Sequence, residues 1–150
     1  CIPHTGSQIR FACEQLRDWQ DIDAPVQLWI MLGTNDLLQE RQFTAEDTAQ
    51  RMEAFLQKIM AEPAVSDGKI TLRLIAPARM EYGAWVDEER LYLESRRLGE
   101  EYRKVAERMG TGFTDAGKWE IPVVYDGVHF SEEGHHIFAE KIQEELAWLR

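Results

Sequence analysis

Val26-Gln27-Leu28-Trp29-Ile30-Met31-Leu32-Gly33 is a near-continuous apolar run closed by a glycine. Such a run suits a strand covered on both faces, as in a parallel sheet. Ile70-Thr71-Leu72-Arg73-Leu74-Ile75-Ala76, before Pro77, repeats the pattern. Between the two runs, Thr44 with Asp47 three positions later predicts a capped helix, whose stripe of Met52, Phe55, Leu56 and Ile59 continues until Pro63. The order is strand, helix, strand.

Working outward, Ile9, Ala12, Cys13 and Leu16 recur at helical spacing from Gln8 to about Gln20, and Asp21 to Pro25 breaks the pattern. Downstream, Leu98, Tyr102, Val105 and Met109 give Leu91 to Met109 an inward face, with Gly110 as its stop. Phe113 begins a short extended segment. Ser131 caps a last helix, Glu132 to Trp148, whose Ile137, Phe138, Ile142, Leu146 and Leu149 are expected to dock on the sheet. This alternation predicts an α/β sandwich around a parallel sheet, with any ligand site at the carboxyl ends of the strands.

The 150 residues are 44% hydrophobic and suit one domain, residues 1–150. A net charge of −10 disfavours nucleic acid and anionic lipid as partners. The apolar runs are far shorter than the roughly 20 residues a membrane-spanning helix needs, so no membrane insertion is expected. Cys1 and Cys13 stand in no CxxC or zinc-ligand spacing, which predicts free thiols and a cytoplasmic setting. The start, Cys-Ile-Pro-His-Thr-Gly-Ser, lacks an initiator Met and the build of a signal peptide, and the chain is expected to be N-terminally incomplete.

Two tetrads carry the chemistry. Gly33-Thr34-Asn35-Asp36 follows the first strand, where a glycine permits a sharp turn and the two-donor amide of Asn35 could face an oxyanion. A plain Asx-type turn is the competing reading. Asp126-Gly127-Val128-His129 precedes the Ser131 cap. His is suited to accept a hydroxyl proton near neutral pH, and a neighbouring carboxylate fixes its tautomer and stabilises the imidazolium. An exposed loop histidine beside a capping Asp is the alternative here.

In their order, separation and placement after strands, the tetrads resemble two of the four signature blocks of the SGNH hydrolases, also called GDSL esterases. Phe130-Ser131-Glu132-Glu133-Gly134-His135 is similar to that family's lead into its final helix. The resemblance implies a flavodoxin-like three-layer α/β/α sandwich that hydrolyses small esters, such as short acyl, acetylated sugar or aryl esters. By it, Asn35 donates to the oxyanion, His129 is the general base and Asp126 orients it. Gly33 supports the turn, and Gly6 is a match to the block that supplies a backbone oxyanion donor, although His4 competes for that position. No metal or organic cofactor is implied.

The family's Gly-Asp-Ser block, which carries the nucleophile after a first strand, occurs nowhere in the sequence, and Ser7 falls where the second block is expected. The expectation is therefore that the serine and the central strand lie upstream, in a segment that acts as a partner of this chain; a pseudoenzyme or an inactive flavodoxin-like binding module is the alternative. Homo-oligomer formation is left open. A metal site from His4, Asp126, His129, His135 and His136 is disfavoured, because adjacent helical residues point ~100° apart. A cysteine hydrolase is disfavoured because Cys13 lies on an apolar stripe. Neither GxGxxG nor GxxxxGK[ST] is present, which argues against nucleotide binding. The loop Ala78 to Trp85, with Met80, Tyr82 and Trp85, either walls an apolar acyl or aryl pocket over the strand ends or packs ordinarily as core or lid.

Overall fold

The structure, a computed structural model, describes residues 1–149. Its elements are α1 (Gly6–Asp18), β1 (Val26–Ile30), α2 (Thr34–Gln39), α3 (Ala45–Met60), α4 (Pro63–Ser66), β2 (Ile70–Ala76), α5 (Glu89–Met109), β3 (Gly112–Asp115), a 3₁₀ turn (Ala116–Lys118) and α6 (Glu132–Trp148). β1, β2 and β3 form a parallel sheet in that order. Val26 pairs with Ile70 and Ile30 with Leu74, while Arg73 pairs with Gly112 and Ala76 with Asp115.

Side chains alternate across a strand, so β1 divides its residues between two faces. Leu28 and Ile30 turn toward α1 and α3; Gln27 and Trp29 turn toward α6. α5 packs on α3 and on the sheet, so α1, α3 and α5 cover one side, and α6 faces the other side of the sheet, giving a three-layer α/β/α sandwich. The core on the first side gathers Leu16, Met52, Leu56, Ile59, Leu72, Leu74, Leu98, Tyr102 and Val105.

Caps set the helix starts. Thr44 Oγ1 accepts from the Asp47 N–H at 3.1 Å while the Asp47 carboxylate accepts from the Thr44 N–H at 3.0 Å, the reciprocal box expected from the sequence. Thr5 and Gln8 form a second box, so α1 begins at Gly6 rather than Gln8. Ser131 caps α6 through the Gly134 N–H, as expected.

Two features differ from the sequence expectation. β1 ends at Ile30, its one buried residue; Val26, Leu28 and Trp29 are half covered and Gln27 is exposed, because the second edge of the strand has no strand partner among the described residues. α6 does not bury its apolar stripe: Gly134 is its one buried residue, and Phe138, Ile142 and Leu146 instead line a gap of about 730 Å³ with Trp29, Met31 and Ile75. The helix is tied to the sheet by polar groups. Arg73 donates to the Phe113 carbonyl and to Thr114 Oγ1, which in turn donates to Glu145 on α6. No helix among the described residues is long and apolar enough to cross a membrane.

Thr44→Ala should cost about 1 kcal/mol of stability through loss of the α3 cap. Urea denaturation checks this, and an unchanged midpoint would contradict the role given to the cap.

Candidate active site

The chain leaving β1 turns at Gly33, which takes φ 129° at the N-cap of α2. Only glycine adopts that region without strain. A Cβ there would also collide with the Tyr102 hydroxyl, so the space is already taken. Asn35 follows in the first turn of α2, exposed, and no side chain caps that helix. Asp36 is fully buried; its carboxylate accepts from the Ile2 N–H at 2.9 Å and from Arg51 at 2.8 Å.

The loop before α6 holds the second group. Asp126 Oδ1 accepts from the N–H groups of Val128 (2.8 Å) and His129 (2.9 Å), and Oδ2 lies 2.7 Å from His129 Nδ1. Burial opposes the charged carboxylate, but the two backbone donors and the imidazole outweigh it and hold the Asp126 carboxyl below its ordinary range. An ionised carboxylate only accepts, so Nδ1 carries the proton and Nε2 is left as the acceptor. The His129 side chain is 61% exposed, and its ring can meet a substrate.

The loop after β2 clamps onto this segment. Backbone bonds run from Glu81 N–H to Gly127, Ala84 N–H to Tyr125 and Trp85 N–H to Asp126. Gly127, with φ 82°, lies so close to the Glu81 carbonyl that no Cβ fits there. Of the loop residues considered from sequence, Met80 is buried and lines the site. Tyr82 stacks on Tyr92 while remaining 58% exposed, and Trp85 meets the His129 ring edge-on at 5.0 Å.

Asn35 and His129 line one cavity of about 300 Å³, together with Met31, Pro77, Met80 and Phe130. Gly6 lies in the first turn of α1 and is not among the residues lining that cavity. Ser7 is exposed beside Thr5, and His4 turns its Nδ1 to the Ile2 carbonyl. Cys13 is buried among the residues of the core, as its stripe position predicted. No group of three or more His, Cys, Asp or Glu placed to hold a metal occurs among the described residues. Sequence reasoning missed Arg51, whose partner lies on a different helix, and treated Tyr102 as a core residue without a role for its hydroxyl.

A profile of the GDSL-like lipase/acylhydrolase family matches residues 5–137. The chain belongs to that family. Its members are carboxylic ester hydrolases, the class expected from the two tetrads. Solved structures share the fold. The M. smegmatis aryl esterase is 20% identical with a TM-score of 0.76, over 95% of this chain and 68% of its own. A carbohydrate acetylesterase from Sinorhizobium meliloti is 21% identical with a TM-score of 0.77, also over 95% and 68%. Another solved structure is 30% identical with a TM-score of 0.73, over 93% of this chain and 66% of that one. The GDSL chain thus spans about two thirds of the length of these structures. Comparison with curated proteins returns no match.

Because its folded pKa is depressed, Asp126 contributes stability that is present above the unfolded value of ~3.9 and lost as pH falls through the lower folded value. Thermal melts across pH 2–5 should therefore show a shallower acid decline for Asp126→Asn than for the parent. Equal slopes would contradict the assigned shift.

Proposed function

We propose that this chain supplies the base and an oxyanion donor of a serine esterase acting on small carboxylic esters, with the nucleophilic serine contributed by a segment that precedes residue 1. The observation that carries the reading is the 2.7 Å Asp126–His129 pair, whose imidazole lines a cavity together with Asn35. A base oriented by a carboxylate and facing an amide donor is what acyl transfer requires.

In the reaction, His129 Nε2 accepts the serine hydroxyl proton as Oγ bonds to the ester carbonyl carbon. The carbonyl electron pair moves onto oxygen, where the Asn35 amide donates to it. Collapse breaks the bond to the alcohol oxygen, and the imidazolium returns its proton there. Water repeats the sequence on the acyl-enzyme and releases the acid. Asp126 remains ionised throughout and stabilises the imidazolium. Residues 1–150 together constitute one domain in this reading, completed by the preceding segment.

The free edge of β1 supports placing the serine on an added strand. Apolar surface flanks that edge on both sides. One groove of about 340 Å³ is lined by Leu16, Trp19, Leu28, Ile30 and Phe55, and on the other side lies the gap under α6. An exposed apolar edge favours pairing with further chain. A parallel strand added there ends beside Asn35 and His129, because parallel strands present their carboxyl ends on one side. Short acyl, acetylated sugar and aryl esters are the substrates proposed; the named functions of the M. smegmatis and S. meliloti structures support the last two.

His129→Ala should lower kcat on p-nitrophenyl acetate by about 10³-fold or more in the full-length protein, with the fold intact because the side chain is exposed. Asn35→Ala should lower kcat by about 10²- to 10³-fold. Steady-state kinetics alongside circular dichroism check both, and unchanged turnover in the His129 variant would overturn the reading.

A further inference from the structure

An oxyanion donor is effective when it is held in place before charge develops, since a group that must reorganise during the reaction contributes less. Asn35 itself is exposed, so its direction depends on the backbone to either side. On the C-terminal side Asp36 is anchored by Arg51 and the Ile2 N–H. On the N-terminal side the anchor comes from α5. The Tyr102 hydroxyl donates to the Leu32 carbonyl at 2.7 Å, across 70 positions of sequence.

Three details make this bond more than core filling. The β1–β2 pairing ends at Ile30 and Leu74, so the Leu32 carbonyl lies past the ladder. Gly33, the next residue, leaves open the volume that the hydroxyl occupies, and its φ of 129° sets the turn into α2. Burial and the charge of Asp36 push the Tyr102 phenol well above its ordinary value, so it remains a donor wherever the protein is folded. A phenyl ring would fill the same space without the bond.

We propose that Tyr102 is a positioning residue for catalysis: its hydroxyl fixes the Leu32–Gly33 peptide and so sets the direction in which Asn35 presents its amide. The proposal rests on the reading of Asn35 as the oxyanion donor. Tyr102 touches no substrate and acts through Asn35.

The test is a double-mutant cycle on the full-length protein with p-nitrophenyl acetate, comparing the parent with Tyr102→Phe, Asn35→Ala and the pair, each checked for folding by circular dichroism. Tyr102→Phe should lower kcat about 10-fold with KM unchanged. The pair should be no slower than Asn35→Ala alone, because a residue that acts through Asn35 has nothing left to position. Multiplying costs, or a Tyr102→Phe protein that melts lower but turns over normally, would overturn the proposal. If Asn35→Ala turns over normally, the parent reading fails and this proposal with it. If Asn35→Ala is slow and Tyr102→Phe is not, the positioning role alone fails. The side-chain amide resonances of Asn35 give a reading independent of turnover: they should shift or broaden in Tyr102→Phe, and identical resonances would contradict the proposal.

Discussion

Parallel pairing of β1, β2 and β3 is the constraint on which the site depends. It forces the three strands to end on one side, and each departing loop then contributes one wall. The turn after β1 brings Asn35. The loop after β2 brings Pro77, Met80 and the clamp around Trp85, and the longer path after β3 brings Asp126 and His129. An antiparallel pairing would send one of those loops to the opposite end of the sheet. Asn35 and the Asp126–His129 pair come from segments more than 90 residues apart, and the register from Val26–Ile70 through Ala76–Asp115 aligns the strands that carry them.

Buried polar groups then hold those loops in place. Asp36, Asp126, Ser95 and Thr114 are all buried, and each has a partner: Asp36 takes Arg51 and the Ile2 N–H, Asp126 takes two backbone donors and an imidazole, Ser95 accepts from the Met80 N–H, and Thr114 bridges Arg73 and Glu145. A buried polar atom without a partner is costly, so each of these bonds disfavours arrangements that would break it. The backbone clamp on Tyr125, Asp126 and Gly127 connects the two loops nearest His129, and the Met80–Ser95 bond ties the first of them to α5. The backbone around Asn35 and His129 is thus held by partnered buried groups, while the sheet is open at the β1 edge.

Much of this was legible in the sequence because it is local. Apolar runs marked β1 and β2, Thr44 with Asp47 marked α3, Ser131 marked α6, and the three-residue spacing of Asp126 and His129 allowed a contact that the structure places at 2.7 Å. The Thr5–Gln8 box was equally local and could have been read from the same signature. What escaped was long-range. Nothing near Tyr102 marks its hydroxyl for the Leu32 carbonyl, and nothing near Arg51 marks it for Asp36, because those partners meet only after α3 and α5 pack. The stripe on α6 pointed to docking on the sheet that the structure does not show: burial needs an opposing surface, and the space beneath that helix is open beside the β1 edge.

Asp126, His129 and Asn35 are proposed to serve a nucleophilic serine, and the presence of that serine is directly measurable. That role is tested most directly by treating the full-length protein with a fluorophosphonate and mapping the adduct by mass spectrometry. The expected result is a single modified serine preceding residue 1, with labelling slowed strongly in the His129→Ala protein. No adduct, an adduct on Ser7, or labelling indifferent to His129 would contradict it.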